Sequence, residues 1–191
     1  MIAIPQQPAK MTVEEYFQWE TQQYQRYEYV NGEVFAMTGG TIPHNDIALN
    51  LYSALPPHMR SRGCRANVFD VKVQVNDQGR YYYPDVVVSC ASQDQSAREF
   101  IQYPKLIAEV LSESTSARDR GEKFTNYLTI TSFQDYLLID SEKVSVEGYS
   151  RGEGRMWLYY HYLPGDVMNL SCCKLDLPIE LLYEGIVWEN E

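Results

Sequence analysis

Two apolar segments of this chain each carry one acidic residue: Tyr82-Tyr83-Pro84-Asp85-Val86-Val87-Val88-Ser89 and Leu106-Ile107-Ala108-Glu109-Val110-Leu111-Ser112. Such Val-, Ile- and Leu-rich runs predict buried β-strands. A charge inside a buried strand is costly unless a metal ion or a partner compensates it. Asp85 and Glu109 lie 24 residues apart, which is enough for one strand to leave a site, turn and return beside its neighbour. We therefore predict that both carboxylates belong to one site.

A lysine follows on the next predicted element. The capping spacing of Ser116-Ala117-Arg118-Asp119 predicts a helix that runs to about Leu128 and carries Lys123. Two carboxylates are able to hold Mg²⁺ through oxygen ligands, and the ion lowers the pKa of a bound water. A lysine nearby would stabilise the developing anion. This combination is typical of a metal-dependent hydrolase.

Each of these residues also has a structural interpretation. Asp85 would cap backbone N–H groups after Pro84, Glu109 would form a salt bridge with an Arg or Lys, and Lys123 would pair with Asp119 on a solvated helix face. The sequence leaves these alternatives open.

A hairpin precedes the two acidic strands. Residues 27–36 form two β-rich runs joined by Asn31-Gly32, the strongest short hairpin signal. A two-residue turn places Val30 opposite Glu33 and Glu28 opposite Phe35, so the two glutamates share one face of the hairpin. Glu33 is our candidate to reach the site, and Glu28 ranks below it.

The remaining elements complete an α/β (α+β mixed) pattern. Thr12-Val13-Glu14-Glu15 has capping-box spacing for an N-terminal helix, and a second helix begins near His44, which we treat as an accessory site residue. Residues 69–75 alternate as one half-buried strand, and residues 76–79 form a turn. Strands follow near residues 136–139, 144–149 and 157–162. This order predicts a mixed sheet with helices on its faces.

Composition sets limits on the class of protein. The chain has 191 residues and a net charge of −10, and we expect one domain over residues 1–191 with a flexible start over residues 1–10. The acidic balance argues against a nonspecific nucleic-acid coating protein, although it does not exclude a nucleic-acid enzyme. We expect no membrane segment and a cytoplasmic protein. The four cysteines show no Cys-x-x-Cys spacing, and we expect them to be reduced packing residues.

Taken together, these segments resemble the Uma-type (Uma-two) restriction endonuclease family, numerous in cyanobacteria, within the PD-(D/E)XK nuclease superfamily. The resemblance covers about residues 12–150. It implies a restriction-endonuclease-like core and Mg²⁺-dependent hydrolysis of DNA phosphodiester bonds, with Mn²⁺ able to substitute, and a homodimer. The matching residues are Tyr27 to Glu33, His44, Tyr83 to Val86, Glu109 to Ser112, Ser114-Thr115, Asp119 to Lys123, Tyr127, Asp135-Tyr136 and Ile139-Asp140.

The chain departs from the superfamily signature at Leu111, where the pattern has a lysine two residues after Glu109. The resemblance points to Lys123 as the replacement, with Lys72 as the weaker alternative and absence of the lysine as a third. A second departure is Glu113, where the family commonly has proline. The predicted site is therefore Asp85 and Glu109 as metal ligands, with Lys123, Glu33 and His44 as further catalytic candidates.

Three functions are consistent with these residues. The first is a Mg²⁺-dependent endonuclease that acts on DNA. The second is a non-catalytic binding or assembly protein on a degenerate nuclease scaffold, which Leu111 and the acidic balance favour. The third is a metal-dependent hydrolase of another phosphate ester, because carboxylates do not themselves recognise bases.

Overall fold

The structure is a computed structural model that describes residues 10–37, 39–55, 59, 62–75, 79–113 and 115–188. Its strands form a five-stranded sheet, a six-stranded sheet and a two-stranded hairpin, in the orders β2-β1-β5-β4-β7, β11-β10-β9-β8-β6-β3 and β12-β13. The strands are β1 Tyr27–Val30, β2 Glu33–Ala36, β3 Arg65–Val68, β4 Lys72–Gln74, β5 Arg80–Tyr82, β6 Val86–Ser89, β7 Phe100–Ile101, β8 Pro104–Leu111, β9 Asp135–Asp140, β10 Val146–Arg151, β11 Trp157–Tyr162, β12 Val167–Leu170 and β13 Leu175–Pro178.

Both larger sheets are mixed, as the sequence predicts. β8 pairs with β9 in parallel, whereas its other neighbour, β6, is antiparallel. β4 likewise pairs with β7 in parallel and with β5 in antiparallel orientation. The helices are α1 Val13–Glu20, α2 Ile42–Ala54, α3 Ser92–Ser96 and a segment α4 over residues 116–127, followed by a 3₁₀ helix at Ile179–Tyr183.

Helices cover the two faces of the six-stranded sheet. On one face, Ile47 and Leu51 of α2 pack against Ala108 and Val110 of β8. On the other face, Tyr127 of α4 packs in a separate core with residues that include Ile107 and Leu111. Alternate residues of a strand point to opposite faces, so Glu109 shares the α4 face of β8.

The helix starts follow local rules. Thr12 and Glu15 form the predicted capping box at α1. Thr41 caps α2 by accepting a hydrogen bond from the backbone N–H of His44. α4 is unusual because α-helical ends, Ser116–Arg118 and Phe124–Tyr127, flank a π-helical turn at Asp119–Lys123. Single π turns inside helices often occur at functional sites.

The strand predicted over residues 69–75 is confirmed only over β4, Lys72–Gln74, and its first part is wrong. Phe69 has φ 59°, a left-handed conformation that breaks a strand. β3 ends at Val68 in the six-stranded sheet, and β4 begins at Lys72 in the five-stranded sheet. At residues 83–85 the chain passes back from the five-stranded sheet to the six-stranded sheet. The two connections between the sheets contact each other, because the Phe69 N–H donates a hydrogen bond to the Asp85 carbonyl at 2.9 Å. The predicted turn at residues 76–79 lies mostly outside the described residues.

The expectation that all cysteines are reduced is also wrong. Cys64 and Cys90 form a disulfide. They flank β3 and β6, whose antiparallel register pairs Arg65 with Ser89, so the residues just outside this pair face each other. Cys172 and Cys173 are free thiols.

The C-terminal segment closes the core. Ile179 and Leu182 are buried against α2, and the Asn50 side chain of α2 donates to the carbonyls of Leu182 and Glu184, both at 3.0 Å. Within the described part of the chain, no helix is both long enough and apolar enough to cross a bilayer. The longest described helix, α2, has 13 residues.

Candidate active site

A cleft of about 1420 Å³ lies where the two sheets meet. Its walls come from the β1–β2 hairpin, the start of α2, the end of β8, α4 and the C-terminal segment. Asp85, Glu109, Lys123 and His44 all line it. The structure therefore brings together four of the five site residues that the sequence predicts.

Asp85 reaches the cleft from the chain crossing just before β6. Val86 pairs with Ala108 across the β6–β8 ladder, which sets Asp85 beside Glu109. The backbone N–H of Val110 donates to Asp85 Oδ2 at 2.7 Å, and His44 Nε2 lies 3.4 Å from the same oxygen. Asp85 thus does accept a backbone hydrogen bond, but from β8 and not from the turn after Pro84.

His44 is held in place by the start of α2, and its ring faces Asp85. Burial lowers the pKa of His44, but the hydrogen bond to Asp85 and the charge of that carboxylate raise it more, with a smaller contribution from the Val110 backbone. The net effect is a pKa above the ordinary value. Asp85 therefore stabilises the charged form of His44.

Glu109 points toward α4. Its Oε1 accepts hydrogen bonds from Lys123 Nζ and from the Tyr127 hydroxyl, both at 3.2 Å. Burial raises the pKa of Glu109 well above its ordinary value, as do the charges of Asp119 and Asp85, while Lys123 opposes this shift. The salt bridge that the sequence left open for Glu109 is formed by Lys123.

Lys123 is buried among three carboxylates. Its Nζ lies 2.9 Å from Glu28 Oε1 and 3.2 Å from both Glu109 Oε1 and Asp119 Oδ1. Burial lowers the pKa of Lys123, but these three charges raise it well above the ordinary value. The pair with Asp119 is present, yet it lies in the interior and not on a solvated helix face.

Glu28 and not Glu33 reaches this cluster. Besides Lys123, Glu28 binds Arg118 Nη1 at 2.6 Å and accepts a hydrogen bond from the Tyr83 backbone N–H at 3.3 Å. Glu33 is exposed and is not among the described residues that line the cleft. The predicted hairpin register is confirmed, but the ranking of Glu33 above Glu28 is reversed by the structure.

Lys72, the weaker lysine candidate, lies elsewhere. Its ammonium forms an ion pair with Glu20 of α1 and lies 4.3 Å from the centre of the Phe17 ring. Leu111, at the signature lysine position, is buried in the α4-side core. Because α4 covers that same face, Lys123 brings an ammonium group to Glu109 from the helix.

The carboxylates are suited to a hard cation. The hydrogen bonds and ion pairs that Asp85 and Glu109 make with other described residues use Oδ2 and Oε1, which leaves Oδ1 and Oε2 for other ligands. Among the described residues, no three His, Cys, Asp or Glu side chains converge closely enough to hold a metal ion by themselves. Mg²⁺ is commonly held by one or two carboxylates, with waters and substrate phosphate as further ligands. The Asp85 and Glu109 carboxylates fit this mode of Mg²⁺ binding.

Sequence reasoning assigned no site role to Asp119, Tyr127 or Arg118. Asp119 stands four residues before Lys123, a spacing that signals a helical ion pair, but its burial follows from the packing of α4. Tyr127 stands four residues after Lys123 and reaches the same carboxylate oxygen. No local signal separates Arg118 from a surface arginine, because its partner Glu28 is 90 residues away.

Two mixed sheets, flanking helices and a cleft with a carboxylate on β8, a second just before β6 and a lysine on α4 define a restriction-endonuclease-like protein. A family model described as "Putative restriction endonuclease" (Uma2) matches residues 13–179. The chain belongs to this family.

Two cyanobacterial proteins are also similar to this chain in sequence. An uncharacterized protein of Synechocystis, slr1290, is 36% identical over 179 residues, which cover 94% of each chain. A second, sll1609, is 35% identical over 150 residues, covering 78% of this chain and 85% of the relative.

A crystal structure from Anabaena variabilis, described as "a putative nuclease belonging to DUF820", matches with a TM-score of 0.73. The match covers 91% of this chain and 97% of that one, at 19% identity. This likeness shows that the two proteins share a fold.

Proposed function

We propose that this protein is a divalent-cation-dependent endonuclease that hydrolyses phosphodiester bonds in DNA. The observation that carries the proposal is the convergence of Asp85, Glu109 and Lys123 in one cleft. The family description, "Putative restriction endonuclease", supports the choice of DNA as substrate.

Asp85 and Glu109 would hold the cation, Mg²⁺ or Mn²⁺, through Oδ1 and Oε2, since the described hydrogen bonds and ion pairs use Oδ2 and Oε1. When bound, the cation acts as a Lewis acid that lowers the pKa of a water and offsets charge on the phosphate. His44 and the Val110 N–H fix the Asp85 carboxylate. Such fixation matters because displacement of a catalytic group by about 1 Å lowers rates by roughly a hundredfold.

Lys123 would offset negative charge that develops on the phosphoryl oxygens. Glu28 and Asp119 hold its ammonium group beside Glu109. Their charges keep Lys123 protonated, so in this proposal it acts as a fixed cation and not as a general base.

The test is cleavage of supercoiled plasmid by the purified protein with Mg²⁺, Mn²⁺ or EDTA. Asp85→Asn and Glu109→Gln should abolish metal-dependent nicking and linearisation, and Lys123→Met should reduce it by at least about a hundredfold. Asp176→Asn is the matched control, because Asp176 is exposed on β13 and is not among the residues that line the cleft. Equal cutting by wild type and Asp85→Asn would refute the proposal.

Two other functions give different results in the same set of assays. A phosphatase or small-diester hydrolase would turn over nucleotides or small phosphodiesters in preference to DNA. A non-catalytic scaffold, which the buried Leu111 favours, would show no divalent-ion affinity that depends on Asp85. Calorimetry with Mn²⁺ on wild type and Asp85→Asn separates the scaffold from both enzymes.

A further inference from the structure

One edge of the six-stranded sheet is long, apolar and uncharged. β11, Trp157–Tyr162, ends that sheet next to β10, and its six residues include no Asp, Glu, Lys, Arg or Pro. Natural proteins commonly protect edge strands from association with such residues. The opposite edge of the same sheet, β3, carries Arg65, and the edge strand β2 of the five-stranded sheet carries Glu33. β11 lacks this protection.

Exposed apolar side chains are concentrated at this edge. Five of the twelve exposed large hydrophobic residues in the described chain lie in β11 or directly beside it, and their exposed fractions are 41–57%. They are Met156, Leu158, Tyr159, Tyr160 and Leu163. Their side chains present on the order of 500 Å² of surface, and the backbone edge adds to this area. A specific interface takes about 800 Å² from each partner, so the edge approaches the size that a dimer needs.

The backbone of β11 offers free hydrogen-bonding groups along this edge. Just beyond the register that joins β10 and β11, the Gly152 N–H donates to the Met156 carbonyl at 2.9 Å. Met156 thus directs its carbonyl toward β10, and every second residue after it does the same, because backbone groups alternate in direction along a strand. The residues between them direct their N–H and C=O groups outward: Trp157, Tyr159 and His161. None of these outward groups bonds a described residue.

We infer that this edge binds a second copy of the chain: β11 pairs antiparallel with β11 of the second copy about a two-fold axis at Tyr159. The axis is perpendicular to the sheet, so side chains on the same face meet. The outward backbone groups of Tyr159 then bond those of Tyr159, and the groups of Trp157 bond those of His161. Leu158 meets Tyr160 on the other face, and such cross-strand pairs stabilise a sheet. This inference does not depend on the proposed nuclease activity.

Charges at the two ends of β11 favour the same occupant. Arg155 is exposed just before β11 and forms no ion pair with a described residue. At the other end, Asp166 accepts the backbone N–H of Leu163 at 2.8 Å, which holds its carboxylate beside the end of the strand. In the two-fold register, Arg155 of one copy lies opposite Leu163 of the other and so approaches Asp166. Glu153, the other charge of the loop before β11, lies on the β10 side of that loop.

The first test is the mass of the full chain in solution, measured by analytical ultracentrifugation over a range of concentrations. We expect a dimer, near twice the 22.1 kDa of one chain, at micromolar concentration. Tyr159→Lys places two like charges opposite each other at the axis and should weaken the dimer by at least about a hundredfold. Tyr24→Lys, at a fully exposed position outside β11, is the matched control and should leave the dimer unchanged. Urea unfolding checks that both variants are folded.

A charge exchange tests whether the partner is a second copy. Arg155→Asp and Asp166→Arg should each weaken the dimer by at least about threefold at low salt, because each places like charges together. The double variant should restore the wild-type affinity, since the exchanged charges attract again. Restoration requires that both residues meet across one interface, which a partner of different sequence does not provide.

Cross-linking tests the register. Leu158 and Tyr160 form a pair without backbone hydrogen bonds across the two-fold axis, and the Cα atoms of such a pair lie about 4.5 Å apart, within the range of a disulfide. A chain that carries both Leu158→Cys and Tyr160→Cys should therefore form a covalent dimer when diamide oxidises it. Either single variant places no thiol opposite another and should run as a monomer on a non-reducing gel.

Three results would overturn the inference. The first is a monomer at every concentration, and the second is a dimer that Tyr159→Lys weakens no more than Tyr24→Lys does. The third is equal cross-linking by the double variant and by either single variant, which would exclude the two-fold register at Tyr159. Plasmid cleavage is measured separately, so loss of the nuclease proposal would leave the result on the dimer unchanged.

Discussion

At the scale of single residues, Glu28 connects the two sides of the cleft. It accepts the Tyr83 N–H, next to the Pro84-Asp85 crossing, and binds Lys123 and Arg118 of α4. Glu33 shares its hairpin face but is exposed, because β2 is an edge strand whereas β1 lies between β2 and β5. Glu28 and Glu33 thus have the same side chain on the same face of one hairpin but lie in different environments.

This difference predicts unequal effects of the same substitution. Glu28→Gln should lower the free energy of unfolding by about 3 kcal/mol, since it removes a buried charge that pairs with two cations, and should lower cleavage at least about tenfold. Glu33→Gln should change stability by less than about 0.5 kcal/mol and leave cleavage intact. Urea unfolding and plasmid cleavage measure both. Similar losses in the two variants would contradict the placement of Glu28.

A second prediction concerns the position of His44. A Cβ at Gly40 would lie 2.7 Å from His44 Nδ1, whereas a Cβ at the neighbouring Gly39 meets nothing within 4 Å. Gly40→Ala should therefore displace the His44 ring from Asp85 and reduce cleavage by roughly tenfold or more. Gly39→Ala is the matched control for backbone entropy and should retain activity. The His44 ring resonances report the displacement directly, and an unmoved ring in Gly40→Ala would exclude this explanation.

At the scale of elements, the π-helical turn of α4 sets the position of the lysine. Asp119 and Lys123 begin and end the turn, and both are buried, while Gly121 between them is exposed. A Cβ at Gly121 would meet nothing within 4 Å, and the residue has no positive φ. The turn therefore does not depend on glycine.

Gly121→Ala should raise the free energy of unfolding by about 0.5–1 kcal/mol, because alanine restricts the unfolded chain and favours helix. Plasmid cleavage should remain at the wild-type level, since Lys123 keeps its three carboxylate partners. Thermal and urea unfolding measure the gain. A loss of stability together with a loss of cleavage would mean that the turn needs the freedom of glycine to place Lys123.

Local signals predicted elements well where one rule dominates. Asn31-Gly32 fixed the register of the hairpin, and Thr12 with Glu15 marked the start of α1. The alternation over residues 69–75 predicts one strand, and Val73 and Val75 within it are indeed buried. The break at Phe69 depends on two sheets meeting there, and this long-range arrangement has no periodic signature.

At the scale of the whole molecule, the site could be predicted only as a set of residue types. Asp85 and Glu109 were recognisable because a charge in an apolar strand is a local feature, whereas Lys123 on the following helix was preferred to Lys72 because of the family resemblance. Which other groups join them depends on how β1 and α4 pack over β8. The Cys64–Cys90 disulfide likewise follows from the β3–β6 register, which the sequence did not reveal.

Buried tyrosines are a further property of the whole fold, and they make its stability sensitive to alkali. Burial, the largest influence, raises the pKa of Tyr82 from its ordinary value of 10.0 to about 12, while a hydrogen bond from Asn126 acts in the opposite direction. Burial also raises the pKa values of Tyr127 and Tyr136, which lie on the α4 side of the sheet. All three hydroxyl groups favour the neutral form in the folded protein.

The sign of the effect follows from proton binding. An unfolded tyrosine loses its proton near pH 10, whereas folded Tyr82 retains its proton up to about pH 12, so above pH 10 the unfolded state binds fewer protons and gains stability relative to the folded state. The contribution of Tyr82 to stability is therefore complete below about pH 10 and lost as pH rises to about 12.

Tyr82→Phe should lower stability at about pH 8, because the 2.6 Å hydrogen bond with Asn126 is lost, but should weaken the decline above about pH 10. Tyr24→Phe, at a fully exposed position, should leave both unchanged. Urea unfolding of the three proteins from about pH 8 to 11 measures the decline, and parallel curves for wild type and Tyr82→Phe would show that Tyr82 ionises like an exposed tyrosine.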